Sequence, residues 1–421
     1  MMPRHLRVLQ IGFALLFLAG CSSLAPLLAP PTPVPSPQAT STPQATPTAT
    51  PTAAVSQPRL LRVWLPPQFD PQADNPSAEL LRARLQAFQQ EYPGIQLEIR
   101  IKSDADILRT LTITNNAAPA ALPDLIALSY WNMQKAASGG FLHPLEGLTS
   151  LLQDPDWYAF ARELAHLKNV EYGIPFGSDV LVMVYRPSMF AEPPFTWEDV
   201  FASGVSLAFP ASSPTALFPL SLYLSENLDL TDDRGSILPD EDALVALFSF
   251  YKRAIESGII PPPVRDQQTD LQSIQFYRNG QSHLAVVWLS SDLQARSGDY
   301  LPLPGLSNAQ YSLGNGWVWA LAGSDVENQP LAVELASYLV ESRFMSEWTR
   351  AAGILPTRPQ ALTGWEEDLR VPLHEALQSA HPLPAEDSVS VVGPLLQGAL
   401  IRLFNGEQPE VVARSVMEEL K

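Results

Sequence analysis

Cysteine is nearly missing from this sequence, in which Cys21 is the single cysteine among 421 residues. One thiol can form neither a disulfide within the chain nor a cysteine-based metal site. Basic residues are also scarce, because 26 Lys and Arg stand against 44 Asp and Glu, which gives a formal net charge of −18. Nucleic acid is therefore not an expected partner, since binding phosphates requires a basic surface.

The common catalytic motifs are each incomplete. Residues 280–284 lack the last glycine of a nucleophile elbow, and residues 374–378 lack the second histidine of a zinc-binding helix. Residues 314–319 lack the third glycine of a dinucleotide-binding loop. The sequence therefore predicts no catalytic residue, no metal site and no cofactor. Two carboxylates in a cleft could still hydrolyse a glycoside, so a glycoside-processing enzyme stays an alternative.

The first residues combine positive charge with a short apolar run. Two arginines precede residues 8–18, a stretch too short for a comfortable membrane span and typical of a signal peptide. The run ends in Leu-Ala-Gly-Cys at residues 18–21, which resembles the lipobox of bacterial lipoproteins. This resemblance implies that residues 1–21 are a signal peptide, that Cys21 is lipidated, and that the lipid anchors the protein in the membrane. The expected location is the outer face of the cytoplasmic membrane, extracellular or periplasmic.

Residues 22–58 contain ten prolines and no charged residue. Such a composition cannot build a core and predicts a disordered, extended linker. The remaining chain is longer than one hydrophobic core usually holds, so two lobes are expected.

The folded part begins with strands that alternate with helices. Strands are predicted at residues 60–64, 95–101 and 123–128, with a helix after each of the first two. This alternation predicts a parallel sheet with helices on its faces, and ligands bind beyond the carboxyl ends of such strands. Trp64, Tyr130 and Trp131 lie at those ends and become candidate ligand-binding residues; the alternative is that they pack under loops.

Residues 172–185 form a turn-rich segment that runs into an apolar strand at residues 180–184. Asp179 lies at the junction. A carboxylate entering an apolar strand must be solvated or find partners, because an unpaired buried charge costs several kcal/mol. Asp179 therefore either faces a cleft, or it caps a turn or pairs within the protein.

Beyond this segment the alternation resumes. A patterned helix is predicted to begin at Asp240, one strand is predicted to end at Trp288, and another is predicted to begin at Trp317. These elements predict a second α/β lobe.

From residue 60 onward the chain resembles the family 1 extracellular solute-binding proteins, receptors of ATP-binding-cassette importers that include maltose-binding proteins. The order and spacing of several segments give this resemblance: residues 61–64, 88–95, 123–128, 137–142, 172–185, 280–286 and 405–409. It implies an α/β fold of the two-lobed periplasmic-binding-protein type (type II), in which each lobe is a sheet flanked by helices. Three crossover hinges are implied, at residues 172–185, 301–311 and 353–358. The expected N-terminal lobe is residues 59–178 with 312–352, and the expected C-terminal lobe is residues 179–311 with 353–421.

The resemblance also implies a binding site. Trp131 matches an aromatic residue that often stacks on a sugar, and Asp179 matches an acidic position that hydrogen-bonds ligand hydroxyls. Residues 289–291 depart from the maltose-binding pattern, which leaves the ligand class open. The candidate ligand-binding residues are Trp64, Tyr130, Trp131, Ser178, Asp179, Trp288, Gly316, Trp317 and Arg358.

These observations predict a receptor that captures a small solute, expected to be a carbohydrate, between two closing lobes. It would deliver the solute to the permease subunits of an importer, and a monomer is expected. The alternatives are a lipid-anchored glycoside-processing enzyme and a solute sensor for a signalling partner.

Overall fold

The computed structural model describes residues 58–232, 234–307 and 309–420. The predicted signal peptide, Cys21 and nearly all of the predicted linker lie outside these residues. Among the helices of the described part, none is long and apolar enough to cross a membrane.

The strands of the described residues, in chain order, are β1 (Arg59–Leu65), β2 (Ile95–Ile101), β3 (Leu125–Ser129), β4 (His166–Leu167), β5 (Val170–Glu171), β6 (Gly173–Tyr185), β7 (Leu207–Ala208), β8 (Leu284–Trp288), β9 (Asp299–Pro302), β10 (Ser312–Leu321) and β11 (Ala380–Pro382).

The α-helices are α1 (Pro76–Glu91), α2 (Ile107–Ala117), α3 (Tyr130–Ser138), α4 (Ala159–Leu164), α5 (Trp197–Ser203), α6 (Leu217–Leu224), α7 (Glu241–Glu256), α8 (Asp270–Arg278), α9 (Gln329–Leu339), α10 (Ser342–Ala352), α11 (Pro359–Leu362), α12 (Glu367–Gln378), α13 (Glu386–Phe404) and α14 (Pro409–Glu419).

Local sequence signals explain several of these elements. The Asn75 side chain accepts a hydrogen bond from the Ala78 N–H (2.9 Å), and Pro76 occupies the first turn of α1. Asp240 caps α7 in the same way, through the Ala243 N–H (2.8 Å). Both helices bury their apolar stripes. The predicted helix starts are therefore confirmed.

One mixed sheet has the strand order β2-β1-β3-β10-β6-β8-β7, with β11 paired to β10 and β9 paired to β6. β1 is parallel to β2 and β3, as predicted. β10 is antiparallel to both β3 and β6, and β6 is antiparallel to β8 and β9. We call β1, β2, β3 and β10 with their helices the N-terminal lobe, and β7, β8 and β9 with theirs the C-terminal lobe.

Strand β6 belongs to both lobes. Its first part, as far as Val180, pairs with β10, whereas Leu181 to Tyr185 pair with β8 and β9. All of its residues are buried. The predicted first crossover is therefore one continuous buried strand.

The other two predicted crossovers differ from each other. Between β9 and β10 the chain folds back, with Pro304 bridging to Gln310, and β10 then runs on into the N-terminal lobe. In the third segment, Leu355 exchanges two backbone hydrogen bonds of 2.8 Å with Ser178 of β6. The chain thus passes between the lobes at three neighbouring places, in β6, in β10 and near Leu355. The lobe boundaries given above stay predictions.

Three apolar clusters form the core. An N-terminal cluster packs β1 against α1, α9 and α10. A C-terminal cluster packs β6 and β8 against α5, α6, α7, α13 and α14. A central cluster is continuous from Leu128 of β3 through Val182 of β6 to Leu373 of α12. Burial of apolar surface therefore extends across the junction of the lobes.

Candidate ligand-binding site

A small cavity lies at the carboxyl edge of the C-terminal lobe. Its volume is about 70 Å³, and it is enclosed by the residues after β7, the end of β8 and the start of α8. Leu181, directly beyond the crossing point of β6, also lines it. In open α/β sheets this edge is where ligands bind. The lining side chains that bear polar atoms or an aromatic ring include Ser213, Thr215, Gln268, Asp270 and Trp288.

Asp270 is the first residue of α8 and is half-buried. One carboxylate oxygen, Oδ1, accepts a hydrogen bond from the backbone N–H of Trp288 (3.3 Å). Burial raises the pKa of Asp270 above its usual value, because desolvation disfavours the charged form.

Asp179 lies beside this cavity and is 7% exposed. Its carboxylate accepts hydrogen bonds from the N–H of Val180 (3.0 Å), the N–H of Ser290 (3.1 Å) and the hydroxyl of Ser290. Burial raises the pKa of Asp179 to about 7; the hydrogen bonds from Ser290 and Val180 oppose this rise, and the charge of Asp270 adds to it. Of the two alternatives from the sequence, the structure shows pairing within the protein, and a ligand contact by Asp179 stays a prediction.

Trp131 connects the two lobes. It follows β3 at the start of α3, is half-buried, and donates a hydrogen bond from its indole N–H to the backbone carbonyl of Pro384 (2.9 Å), which precedes α13. One turn further along α3, Lys135 lies 2.7 Å from Glu386 and 3.5 Å from Asp387. The edge after β3 therefore contacts the start of α13, so the two lobes touch here.

Tyr130, the neighbour of Trp131, is 6% exposed. Burial, with a smaller contribution from the charge of Glu163, raises its pKa to about 12. Its hydroxyl is therefore neutral at physiological pH.

Three of the other predicted residues lie in the interior. Trp64 is 1% exposed within the central cluster, and its indole N–H has no hydrogen-bond partner among the described residues. Ser178 is fully buried and hydrogen-bonded to Leu355. At Gly316 a Cβ would lie 2.6 Å from Leu164 and 2.7 Å from the carbonyl of Gly177, so glycine is required by close packing. No ligand is needed to explain these residues, and their ligand contacts stay predictions.

Trp317 and Arg358 also contact protein groups. Trp317 is half-buried and packs edge-on against Phe69, with ring centres 5.5 Å apart. Arg358 is 9% exposed; its guanidinium lies 3.0 Å from Asp156 and 2.7 Å from Asp154 and donates to the Val340 carbonyl (3.3 Å). This arrangement holds the third crossing segment, and a ligand contact by Arg358 stays a prediction.

Asp270 and Ser290 are not among the ligand-binding residues predicted from the sequence. A signal existed for the first, since Thr269-Asp-Leu-Gln272 is a capping box that places Asp270 at the start of a helix. Ser290 had no such signal, because its partner Asp179 is 111 positions away.

A larger groove of about 860 Å³ lies elsewhere, between α1, α10 and α11. It is open and lined by exposed charged side chains such as Arg343 and Glu347, away from the sheet edge. The smaller cavity suits ligand binding better, because it lies at the carboxyl edge of the sheet and its lining combines an aromatic ring with polar side chains. In the described ranges, no cluster of three His, Cys, Asp or Glu side chains is arranged to hold a metal ion.

Two α/β lobes that share strands and present their carboxyl edges at the crossing define a two-lobed binding protein. The profile of the bacterial extracellular solute-binding proteins matches residues 73–343, and the chain belongs to that family. No curated protein sequence matched the chain.

Solved structures show the same fold at low sequence identity. Maltose-bound MalE3 of T. maritima is 18% identical, with a TM-score of 0.64 over 86% of this chain and 98% of that one. The cyclic alpha-maltosyl-1,6-maltose binding protein from Arthrobacter globiformis is 15% identical, with a TM-score of 0.70 over 86% and 98%. The extracellular solute-binding protein from Staphylococcus aureus in complex with maltose is 15% identical, with a TM-score of 0.70 over 86% and 97%. The predicted fold is confirmed.

Proposed function

We propose that this protein is a lipid-anchored receptor that captures a carbohydrate between its lobes and delivers it to the permease subunits of an ATP-binding-cassette importer. The observation that supports this proposal is that an aromatic ring and a carboxylate lie together at the carboxyl edge of the C-terminal lobe, where Trp288 and Asp270 line one cavity, while a second ring, Trp131, lies at the contact between the lobes. A pyranose offers an apolar CH face to a ring and hydroxyls to carboxylates. Several structural neighbours are described as bound to maltose, maltotriose or maltotetraose, which supports the same ligand class.

Closure of the lobes would be the mechanism. A ligand shifts the balance between open and closed forms only by its difference in affinity for the two, and a shift from 1:99 to 99:1 needs about 5.5 kcal/mol. The contact of Trp131 with Pro384 lies between the lobes, so closure would change its environment. The closed form would be the one that the permease recognises.

A panel of mono- and oligosaccharides and polyols tests the carbohydrate proposal. The melting temperature of the purified protein is measured with each compound, since a ligand at 100 times its Kd adds about 2.7 kcal/mol of stability. We expect at least one carbohydrate to stabilise the protein and to be recovered unhydrolysed, as for a receptor that acts without catalysis. A panel in which no carbohydrate stabilises the protein would contradict the proposed function.

Anchoring is tested separately with Cys21→Ser, which removes the only thiol. We expect the parent protein to partition into the detergent phase and the variant to stay in the aqueous phase. Detergent partitioning of the variant would contradict a lipid on Cys21.

A further inference from the structure

The cavity at the carboxyl edge of the C-terminal lobe is too small for a sugar ring. Its volume of about 70 Å³ is roughly half that of a ~150 Å³ cavity that holds one benzene ring. Only a small substituent therefore fits inside it. A sugar bound at this edge would therefore keep its ring outside and insert one substituent.

Asp270 has unused capacity to accept hydrogen bonds. Its Oδ1 receives one N–H, from Trp288 at 3.3 Å, and no donor among the described residues reaches its Oδ2. Ser213 and Thr215 also line the cavity, and their hydroxyls lie 2.9 Å apart. Asp270 thus offers an acceptor without a partner in the described part of the chain, beside the Ser213 and Thr215 hydroxyls and the Gln268 amide, which can each donate or accept.

The charge around the cavity also favours a ligand group that donates hydrogen bonds. The lining residues include no lysine or arginine, and the charge of Asp270 opposes ionisation of neighbouring Asp179. A partly desolvated carboxylate without a cation favours any ligand group that can donate hydrogen bonds to it.

We propose that this cavity is the subsite for one small hydrogen-bond-donating substituent of the sugar, with Trp288 against the ring and Asp270 as the specificity-determining acceptor. This inference rests on the proposed carbohydrate function. A hydroxyl or hydroxymethyl group donates to Asp270, and a sugar without that group leaves the carboxylate unpaired, which is how hydrogen-bonding sites reject analogues.

The test is calorimetric titration of the full protein with D-glucose, D-galactose, D-mannose and maltose, together with their monodeoxy and amino derivatives. For a sugar that binds, we expect removal of one particular hydroxyl to weaken binding at least about tenfold. We expect an amino group at that position to restore or improve it, because hydrogen bonds between charged groups are stronger.

In Asp270→Asn, the loss of affinity for the deoxy sugar and the gain for the amino sugar should each shrink to about twofold or less. The reason is that the amide keeps the shape of the carboxylate but loses its charge and one acceptor. The matched control is Asp266→Asn, an exposed aspartate outside the cavity lining, which should bind like the parent protein. The Thr269 cap of α8 is retained in both. If Asp270→Asn lowers the melting temperature, Ser213→Ala is the second variant. It should also reduce the discrimination between the sugar and its deoxy derivative at that position, but by less than Asp270→Asn.

If Asp270→Asn and Ser213→Ala, as folded proteins, keep the parent profile of deoxy and amino sugars, the subsite proposal is overturned while the receptor function stands. If no neutral or amino sugar binds the parent protein, both proposals are contradicted.

Discussion

Two buried aspartates lie where the chain crosses between the lobes, and they differ in what surrounds their charge. Asp156, which holds the third crossing segment, is 8% exposed and receives hydrogen bonds from Arg358 (3.0 Å), Ser342 (2.9 Å) and the backbone of Gln360 (2.8 Å). Asp179, on the shared strand β6, is 7% exposed and receives three hydrogen bonds from neutral groups only.

The difference separates a crossing fixed by an ion pair from one without a cation among the described residues. The guanidinium of Arg358 lies 3.0 Å from Asp156 and compensates its charge. No salt bridge reaches Asp179 from the described residues, and burial raises its pKa to about 7. Asp156 therefore stabilises one crossing through an ion pair, whereas Asp179 gives the other crossing a charge that depends on pH near neutrality. Four variants can break or sharpen this comparison.

Removing the cation of the fixed crossing should have the largest effect. Arg358→Met leaves Asp156 buried without its partner, which typically costs about 3–5 kcal/mol. Urea denaturation measures the free energy of unfolding. Arg350→Met is the matched control, because Arg350 lies 3.7 Å from Glu366 with both side chains about half exposed, and such pairs contribute at most about 1 kcal/mol. Equal losses in the two variants would contradict the importance of the buried pair.

Asp179 should make stability depend on pH with a defined sign. The folded protein keeps the proton up to a pKa of about 7, whereas the unfolded chain releases it near 4. The folded state thus binds more protons at Asp179 between these values, so the contribution of Asp179 to the free energy of unfolding is fully present below about pH 4 and is lost as pH rises through about 7, by at most about 4 kcal/mol.

Asp179→Asn should remove this slope, because the amide does not titrate. The measurement is the free energy of unfolding from pH 4 to 8 for both proteins, with Asp266→Asn as an exposed control. Parallel curves for the parent protein and Asp179→Asn would show that the pKa of Asp179 is not raised.

The contact between the lobes should have a smaller effect. Trp131→Phe keeps an aromatic ring but deletes the hydrogen bond to Pro384, which contributes about 0.5–1.5 kcal/mol. We expect a larger radius of gyration by small-angle scattering without ligand, because the closed arrangement loses a stabilising contact. An unchanged radius, with or without sugar, would argue that this bond does not influence closure.

The smallest effect is expected at Lys135. Lys135→Gln removes a pair with Glu386 in which each side chain is more than one-third exposed, so the loss should be below about 1 kcal/mol and should vanish in high salt. Melting temperatures at low and high ionic strength provide the comparison. A loss that persists in high salt would point to packing rather than charge.

The sequence predicted what depends on local pattern. Caps and apolar periodicity located α1 and α7, and the run at residues 180–184 located the shared strand. Contacts between distant residues were not visible in the same way. Trp131 and Pro384 are 253 positions apart, and Arg358 and Asp156 are 202 apart. No local pattern encodes such pairs, so nothing in the sequence indicated that Arg358 would pair inside the protein rather than contact a ligand.

The fold-back between β9 and β10 shows the same limit. The resemblance implies a crossover near residues 301–311, and the chain does pass there from β9, beside one half of β6, to β10, beside the other half, but the bridge of Pro304 to Gln310 had no signal in the sequence. Predicting such a bridge requires knowing which strand is the neighbour, and this is a property of the assembled sheet.

Strand β6 also restricts how many residues can be inserted into or deleted from this part of the chain. Ile174 and Phe176 point into the N-terminal cluster, Val180, Val182 and Val184 into the central cluster, and Leu181, Met183 and Tyr185 into the C-terminal cluster. Side chains alternate with a period of two on each side of one register shift, because Gly177 pairs with Trp317 of β10 whereas Pro175 pairs with Val318. Inserting or deleting a further residue would turn one half of the strand over relative to the other. The length of this segment therefore tolerates change only in steps of two or through a compensating bulge, and both lobes depend on it because each buries residues of this one strand.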